Sequence, residues 1–279
     1  MIVDVKTIVK EKKQKLKERV ESLKQNGVIP KLVVIFASDD PASELYVSKK
    51  RKMCCELGIE EEEYILDNSV TTDNIIDIIE KLNNDESVHG ILVQLPLYKG
   101  LDEKKILNSI NPEKDVDGLH PLNLGKLLCN KDGLVSCTPR GIMTILSELN
   151  VDLVGKNAVV VGRSVLVGKP ITLLLLNAGA TVTLCHSKTQ NLKQHTKNAD
   201  ILIAAVGHPK LITADMVKPG AVIVDVGINR VDGKVVGDAD TQAIADIAKY
   251  ITPVPGGVGL TTVLSLLENV TEVASKQVK

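Results

Sequence analysis

Aromatic residues are nearly absent from this chain. Its 279 residues include no tryptophan, a single phenylalanine (Phe36) and four tyrosines, so aromatic side chains make up 2% of the sequence. The hydrophobic residues, 44% of the total, are therefore mainly valine, isoleucine, leucine and alanine. That composition is typical of buried parallel strands and the helices that cover them. The length suffices for one large domain or two modest ones.

The sequence also lacks an excess of either charge. Its 34 basic and 35 acidic residues give a net charge of −1, which argues against a nucleic-acid or membrane partner. No apolar run is long enough to span a bilayer, and no apolar secretion segment is present. A lysine-rich stretch at 6–24 contains three glutamates, so we interpret it as a solvated helix and not as a transit peptide.

Cysteine is scarce and has no framework spacing. The five cysteines are odd in number, none forms a C-x-x-C pair, and Cys54 and Cys55 are adjacent. This pattern favours reduced thiols in a cytoplasmic protein. We predict no metal site, because His186, His195 and His208 do not stand at metal-ligand spacing from any cysteine.

Apolar segments of strand length alternate with helical patterns from about residue 31 onward. In the first half we predict strands at 31–37, 62–67 and 89–96, with helices at 41–58 and 71–85. A Gly/Pro/Asp-rich stretch then interrupts the pattern at 111–125, and a linking helix is predicted at 138–150. The second half has predicted strands at 156–162, 180–187, 199–207 and 221–229, and helices at 169–178 and 261–277. This alternation predicts an α/β fold with two lobes, each built on a parallel sheet.

The first strand of the second lobe leads into a helix through a glycine-containing turn. Such a turn presents free backbone N–H groups and the helix dipole to a phosphate. The G-x-G-x-x-G fingerprint is incomplete, because only Gly162 matches, Ser164 and Val167 occupy the second and third positions, and Gly168 follows. A tight turn without a ligand is therefore the alternative interpretation.

The end of the next strand favours NADP over NAD. In NAD enzymes this strand ends in an acidic residue that binds the ribose 2′-hydroxyl, whereas here it ends in CHSKT (185–189) without a carboxylate. Arg163, Ser187 and Lys188 are suited to a 2′-phosphate. Taken alone, Lys188 is equally an ordinary solvated lysine. Ile228 follows a later strand at its carboxyl end, where open sheets bind their ligands.

The first lobe contains a candidate acid/base pair on one helix. Tyr46 and Lys50 are four residues apart and so share a helix face. Lysines and an arginine surround Lys50 in the sequence, and a solvated basic helix is the alternative interpretation. Gln94 ends an apolar strand just before Pro96, and a buried glutamine needs hydrogen-bond partners, which a ligand can supply.

Two aspartates follow in the loop that joins the lobes. Asp115 and Asp117 stand in the segment KDVDGLHP (114–121), where a carboxylate could accept hydrogen bonds from an amino-pyrimidine ring. They could equally be turn residues beside Gly118. The sequence leaves both interpretations open.

Together these segments resemble the methylenetetrahydrofolate dehydrogenase/cyclohydrolase family. No single motif is decisive, but the set is specific and follows the family order over nearly the whole chain. The matching runs are ELYVSKK (44–50), GILVQLPL (90–97), PEKDVDGLHPLNLG (112–125), CTPRG (137–141), VVVGRSVLVGKP (159–170), TLCHSKT (183–189), VDVGIN (224–229), GDAD (237–240) and TPVPGGVG (252–259).

The resemblance implies two α/β domains that flank a cleft. The folate-binding catalytic domain is expected at 1–136, completed by the last helix (260–279), and a Rossmann-like NADP-binding domain at 137–259. The implied activity is oxidation of 5,10-methylene-tetrahydrofolate with NADP, followed by hydrolysis of the methenyl product to 10-formyl-tetrahydrofolate. The implied assembly is a cytoplasmic homodimer. The alternatives are an enzyme with only one of these activities, a shikimate-type dehydrogenase and a non-catalytic NADP sensor.

The resemblance also implies residue roles. Lys50 is the catalytic lysine, Tyr46 stacks on the folate rings, Gln94 cooperates with Lys50, and Asp117 holds the pterin amino group. The loop that contains Pro255 and Gly256 completes the substrate-binding set. The cofactor-binding set consists of Gly162, Arg163, Ser164, Ser187 and Ile228.

Three places depart from the family pattern. Tyr98 stands where a second proline is common, and Ser136 stands where proline usually precedes CTP. Leu260, Thr261 and Thr262 replace Pro-Met-Thr. Because a lost proline frees a backbone N–H, we expect a looser turn into the last helix and an altered balance of the two activities.

Overall fold

The computed structural model describes residues 1–278, except for the side chains of residues 41–46. The chain divides into two compact units. The first unit contains Glu11–Cys137 and the chain from Val263 onward, and the second contains Met1–Lys10 and Thr138–Thr262.

The first unit is built on a three-stranded parallel sheet. Its strands are β1 (Lys31–Phe36), β2 (Glu60–Ile65) and β3 (Gly90–Gln94), in the order β2-β1-β3. The central strand β1 is an apolar run with both faces covered, as expected for a parallel sheet. Its helices are α2 (Pro41–Leu57), α3 (Thr72–Asn84), α4 (Glu103–Ser109) and α5 (Pro121–Leu128), together with the part of α1 (Val5–Gln25) from Glu11 onward. Helix α6 (Cys137–Glu148) begins at the last residue of the segment Glu11–Cys137 and continues in the second unit.

Helix α3 shows how the local sequence builds this unit. Thr71 and Asn74 form a capping box that satisfies the first free N–H groups of the helix. Ile75, Ile79 and Leu82 recur at helical spacing and are buried, so one face of the helix joins the core around β1 and β3.

The second unit contains a five-stranded parallel sheet in the order β10-β7-β6-β4-β5. Its strands are β4 (Asn157–Val161), β5 (Thr181–Cys185), β6 (Ile201–Ala204), β7 (Val222–Asp225) and β10 (Tyr250–Ile251), and a separate antiparallel hairpin is formed by β8 (Asn229–Val231) and β9 (Lys234–Val236). The helices are α7 (Gly168–Asn177), α8 (Leu192–Thr196), α9 (Thr241–Ile244) and the first five residues of α10 (Val258–Ser275), with a 3-10 turn at Ala214–Met216. The chain leaves β4 for β5 on one side and returns to β6 on the other. This reversal of strand order creates the crevice in which open α/β sheets bind ligands.

The predicted α/β class with two parallel sheets is confirmed. The second strand begins at Glu60, two residues before its predicted start. Its sequence EEEEYI is polar, as an edge strand allows, so an apolar pattern did not reveal its first residues. The short helices α4, α5 and α8 and the β8–β9 hairpin were not predicted. Elements this short present too few turns to show a periodic pattern.

Each end of the chain belongs to the unit that is formed mainly by the other half of the sequence. Ile2 forms a parallel bridge with Ile251, and the Val3 N–H donates to the Ile251 carbonyl at 2.9 Å. Ile2 and Val3 thus pair with the edge strand of the second sheet, and Val5 at the start of α1 lies in the core of the same unit. From Val263 onward, α10 belongs to the first unit. These placements depend on long-range pairing, which a local sequence pattern does not encode.

Three further features of the described residues concern disulfides, membrane-spanning helices and metal-binding clusters. The five cysteines are free; Cys54, Cys137 and Cys185 are buried, whereas Cys55 and Cys129 are exposed. No described helix combines the length and apolar character needed to cross a membrane. In the same part of the chain, no three His, Cys, Asp or Glu side chains cluster as a metal site would require.

Candidate active site

Lys50 and Gln94 meet at the carboxyl end of the first sheet. Gln94 is the last residue of β3, and its Oε1 accepts a 2.5 Å hydrogen bond from Lys50 Nζ on α2. The Gln94 Nε2 donates to the Leu95 carbonyl at 2.7 Å, which turns the amide oxygen toward the lysine. Two residues that the sequence suggested separately are thus in direct contact.

Burial lowers the pKa of Lys50 from its ordinary value. The Asp117 carboxylate gives the largest opposing effect, with smaller ones from nearby thiols and Glu61. A lowered pKa increases the neutral fraction of the amine near neutral pH, and only the neutral amine accepts a proton. Lys50 is therefore placed to act as a base, which a solvated lysine on an exposed helix face would not be.

Asp117 is half-buried, and its pKa is shifted in the direction opposite to that of Lys50. Burial raises its pKa, while the Lys50 charge and a hydrogen bond from the Cys137 thiol oppose that shift. The loop packs tightly here, because a Cβ on Gly118 (φ +70°) would lie 2.5 Å from the Ser136 nitrogen. The loop geometry thus requires glycine immediately after the carboxylate.

The second loop aspartate has a structural position. Asp115 is buried, and its Oδ2 accepts hydrogen bonds from the His120 backbone N–H at 2.7 Å and from Asn123 Nδ2 at 3.0 Å. These bonds close the loop onto the start of α5, where His120 caps the helix by accepting from the Leu122 N–H. Of the two aspartates, only Asp117 interacts with Lys50.

All three departures from the family pattern are accommodated by hydrogen bonds that proline could not donate. The Tyr98 N–H donates to the Ala37 carbonyl at 2.9 Å, and the Ser136 hydroxyl to the Gly118 carbonyl at 2.9 Å. The Leu260 N–H donates to the Gly257 carbonyl at 3.0 Å. In the turn into α10, the N–H group that proline would lack thus has a backbone acceptor.

Glu61 is a buried acid that the sequence analysis missed. Neither carboxylate oxygen is reached by solvent or by a hydrogen-bond partner among the described residues. Burial, followed by the charge of Glu63, raises the pKa of Glu61 to about 7, and the cations Arg51 and Lys50 oppose this effect. The four successive glutamates of β2 do not show in the sequence which of them has a buried carboxylate.

Three further residues were predicted to bind folate: Tyr46, Pro255 and Gly256. Tyr46 falls among the side chains outside the described residues. Pro255 is exposed and Gly256 is half-buried, in the loop that precedes α10. Gly256 has φ +94°, a conformation that favours glycine.

The turn between β4 and α7 depends on two glycines. Gly162 (φ +123°) donates its N–H to the Cys185 carbonyl, and a Cβ there would lie 2.0 Å from the Ala205 oxygen. A Cβ on Gly168 would lie 1.9 Å from the Gly162 oxygen. Gly168 therefore provides the close helix–strand approach of a dinucleotide fold, one residue beyond the position that the fingerprint spacing assigns.

Ser164 shapes this turn from within. Its Oγ accepts hydrogen bonds from the Val167 and Gly168 N–H groups at 3.1 and 3.3 Å, at the start of α7. The neighbouring Arg163 is exposed at the carboxyl edge of the sheet. The helix start and the guanidinium together form a suitable phosphate-binding region.

Ser187 and Arg163 both lie at the carboxyl ends of the strands of the second sheet. Val161 pairs with Cys185 in the β4–β5 register, and Arg163 and Ser187 each follow their strand by two residues. The loop is closed by a 2.8 Å hydrogen bond from the His186 N–H to Thr189 Oγ1, which leaves Ser187 and Lys188 exposed. Ile228, which follows β7, is also exposed.

These observations define a nucleotide-dependent enzyme. One unit is a Rossmann-like sheet with a phosphate-binding turn, and the other holds a lysine–amide–carboxylate cluster. Family models agree with both halves: the catalytic domain of tetrahydrofolate dehydrogenase/cyclohydrolase matches residues 3–117, and its NAD(P)-binding domain matches residues 136–278. The chain belongs to the tetrahydrofolate dehydrogenase/cyclohydrolase family, which confirms the resemblance seen in the sequence.

Individual relatives agree over nearly the full length. The bifunctional protein FolD of Exiguobacterium sibiricum is 51% identical over 98% of this chain and 99% of its own. The crystal structure of the FolD dehydrogenase/cyclohydrolase from Campylobacter jejuni is similar with a TM-score of 0.97, 46% identity and 99% coverage of both chains. The Trypanosoma brucei enzyme, solved with NADP and an inhibitor, gives a TM-score of 0.95 and 34% identity over 100% of this chain and 98% of that one.

The shikimate-type alternative is not favoured. Shikimate 5-dehydrogenase from Thermus thermophilus matches with a TM-score of 0.53 and 15% identity over 90% of this chain and 99% of that one. Similarity at that level shows a shared fold alone.

Gly168→Ala is expected to weaken NADP binding and lower the melting temperature. The new methyl group would overlap the Gly162 carbonyl, and the resulting strain should be about 1–3 kcal/mol. Calorimetric titration with NADP and a thermal melt test this expectation. Gly125→Ala is the control, since a Cβ there meets nothing within 4 Å. Equal behaviour of the two variants would show that the close approach at Gly168 is unimportant.

Proposed function

We propose that this enzyme oxidises 5,10-methylene-tetrahydrofolate with NADP and hydrolyses the methenyl product to 10-formyl-tetrahydrofolate. The contact between Lys50 and Gln94 beside Asp117 carries the proposal, because it combines a lysine of lowered pKa with a carboxylate of raised pKa. Relatives at about half identity are named bifunctional, and both family domains are present.

The second unit has the residues that an NADP site needs. Gly162 and Gly168 permit the tight turn that leads into the start of α7, where a phosphate can be bound, and Arg163 and Ser187 offer donors for the 2′-phosphate. No residue in 185–189 is acidic, so nothing in that segment would repel the phosphate. When bound, NADP accepts a hydride from the methylene carbon of the folate.

The oxidation step requires little acid/base chemistry from the protein. The folate nitrogen lone pair replaces the electron pair that leaves with the hydride, so no proton is exchanged with an enzyme group. The contribution of the chain is to bind and orient the substrate, which lowers the barrier through proximity. Asp117 is proposed to accept hydrogen bonds from the pterin amino group and to fix its orientation.

The hydrolysis step does require proton transfer. Water adds its oxygen to the methenyl carbon and loses a first proton. The resulting hydroxyl loses its proton to solvent as the formyl carbonyl forms, while the bond from that carbon to the ring nitrogen N5 breaks and N5 is protonated, so that one proton is released overall. Neutral Lys50 is proposed to take the proton from water and to return it during ring opening. Gln94 holds the amine through its 2.5 Å hydrogen bond.

We further propose a cytoplasmic homodimer as the working assembly. The five free cysteines agree with a reducing compartment. Sedimentation of the purified protein tests the dimer, and a monomer at working concentration would contradict it.

Two assays on the wild-type protein test the proposed function. Methylene-tetrahydrofolate with NADP should yield NADPH, followed as an increase in its absorbance. Supplied methenyl-tetrahydrofolate should be converted to the formyl product faster than in buffer alone. Failure of one assay would leave a monofunctional enzyme, and failure of both with a folded protein would refute the proposal.

Arg163→Ala is expected to weaken NADP binding by about ten- to a hundredfold and to leave NAD binding nearly unchanged. A charge-assisted hydrogen bond contributes about 1.5–3 kcal/mol, and only NADP carries the 2′-phosphate that would receive it. Calorimetric titration with both nucleotides gives the comparison. Arg19→Ala, which removes an exposed arginine of α1, is the control. Equal weakening for both nucleotides would make Arg163 a general phosphate or structural residue.

A further inference from the structure

Asp238 is a completely buried carboxylate at the carboxyl edge of the second sheet. It accepts hydrogen bonds from three consecutive backbone N–H groups, those of Val206, Gly207 and His208, at 2.6, 3.0 and 2.9 Å. The Asn229 side-chain amide donates a fourth bond at 2.9 Å. One carboxylate thus ties together the loop after β6 and the start of β8, immediately after β7.

A second buried carboxylate holds the first in place. Asp225, the last residue of β7, accepts from the N–H groups of Gly227, Asp238 and Ala239 at 2.9, 2.9 and 2.8 Å. Its own N–H donates to Thr252 Oγ1 at 2.8 Å. Burial raises the pKa of Asp225 to about 6, so it is mostly ionised at neutral pH and can accept all three bonds.

Two glycines make room for this pair. A Cβ on Gly227 would lie 2.3 Å from an Asp238 carboxylate oxygen, and a Cβ on Gly237 would lie 1.9 Å from an Asp225 oxygen. The motifs VDVGIN (224–229) and GDAD (237–240) are therefore two halves of one interlocked structure. This interlocking explains the composition of the two motifs without any contact to a cofactor.

The loop 206–208 and the segment around Asn229, which Asp238 joins, follow strands on one side of the point where the strand order reverses. Strands β6 and β7 lie on the side of β4 opposite to β5, and the proposed 2′-phosphate residues lie at the ends of β4 and β5. A dinucleotide whose phosphates rest on the start of α7 would extend its other end over β6 and β7. Val206 and Ile228 present exposed apolar side chains there.

We propose that Asp238 is a positioning residue for the nicotinamide end of the NADP site. It fixes the 206–208 loop and the Ile228–Asn229 segment in the geometry that accepts the ring. This inference rests on the proposed NADP site and adds to it a residue that makes no contact with the ligand. Because the binding loops are already held in place, less conformational entropy is lost when the ligand binds, and the binding free energy is more favourable.

Asp238→Asn is the test, because it preserves the size of the side chain but replaces an acceptor oxygen with an NH₂ donor. We expect the dissociation constant of NADP to rise by about ten- to a hundredfold. That of 2′,5′-ADP, which lacks the nicotinamide end, should change little. Hydrolysis of supplied methenyl-tetrahydrofolate should also persist, since it transfers no hydride. Asp240→Asn is the matched control, removing a carboxylate that makes only a 3.4 Å ion pair with Lys210.

The possible outcomes separate the inference from the function on which it rests. Unchanged NADP affinity, or equal weakening for NADP and 2′,5′-ADP, would overturn the positioning role. A wild-type protein that binds neither nucleotide would instead refute the proposed NADP site. If Asp238→Asn fails to fold, Asn229→Ala decides: it removes one of the four bonds and should weaken NADP by a smaller factor. No change in that folded variant would also overturn the inference.

Discussion

Lys50→Met is expected to reduce methenyl hydrolysis by about a hundred- to ten-thousandfold while a substantial part of the dehydrogenase rate remains. That range is the usual contribution of a positioned acid/base group, and hydride transfer does not use one. Methionine retains much of the apolar stem, so packing on α2 should be preserved. The variant should therefore release methenyl-tetrahydrofolate, which the wild-type enzyme converts to the formyl product.

Both rates must be measured on the same purified Lys50→Met protein, with a thermal melt to establish that it is folded. Lys52→Met, which changes an exposed lysine of the same helix, is the matched control. An equal large loss of both activities would make Lys50 an orienting residue and refute its hydrolytic role. No loss of either would restore the interpretation of a solvated basic helix.

Asp117→Ala is expected to lower kcat/KM of both activities by at least about thirtyfold. Removing one partner of a hydrogen-bonded charge pair costs about 2–5 kcal/mol where the pair is desolvated, and loss of a pterin anchor should affect every step that uses the folate. Titration with NADP should give a nearly unchanged dissociation constant, because Asp117 belongs to the first unit.

Asp77→Ala, an exposed aspartate on α3, controls for the change in net charge. Normal Michaelis constants and turnover in a folded Asp117→Ala protein would show that this residue only shapes the loop beside Gly118. Selective loss of hydrolysis would assign Asp117 to the control of Lys50 instead of to folate binding.

The candidate site illustrates what local sequence can and cannot indicate. Gln94 could be selected because a polar residue ending an apolar strand needs a partner, and the structure supplies Lys50 at 2.5 Å. Asp115 and Asp117 could not be separated, because both precede the same glycine and only the fold buries one against Asn123. Glu61 was missed, since nothing in a run of glutamates shows which one points inward.

The proposed nucleotide site also combines features that a local pattern shows with features that it does not. Gly162 and the absence of an acidic residue after β5 are local features that the sequence shows directly. In the structure, Gly162 lies in the turn that follows β4. The role of Gly168 depends on contact with the Gly162 carbonyl across the turn. The role of Asp238 depends on loops about 30 residues away along the chain, so the spacing of motifs does not reveal it.

By itself, the sequence determined the α/β class, the two parallel sheets and the family, because these follow from short-range hydrophobic patterns and from motifs in a fixed order. The tertiary structure alone decided which polar groups are buried and paired. It placed residues 1–10 in the second unit, where Ile2 pairs with Ile251 at the sheet edge. It also lowered the pKa of Lys50 and joined Asp225 to Asp238. Burial and hydrogen bonding arise between distant segments, and a pattern of neighbouring residues contains neither.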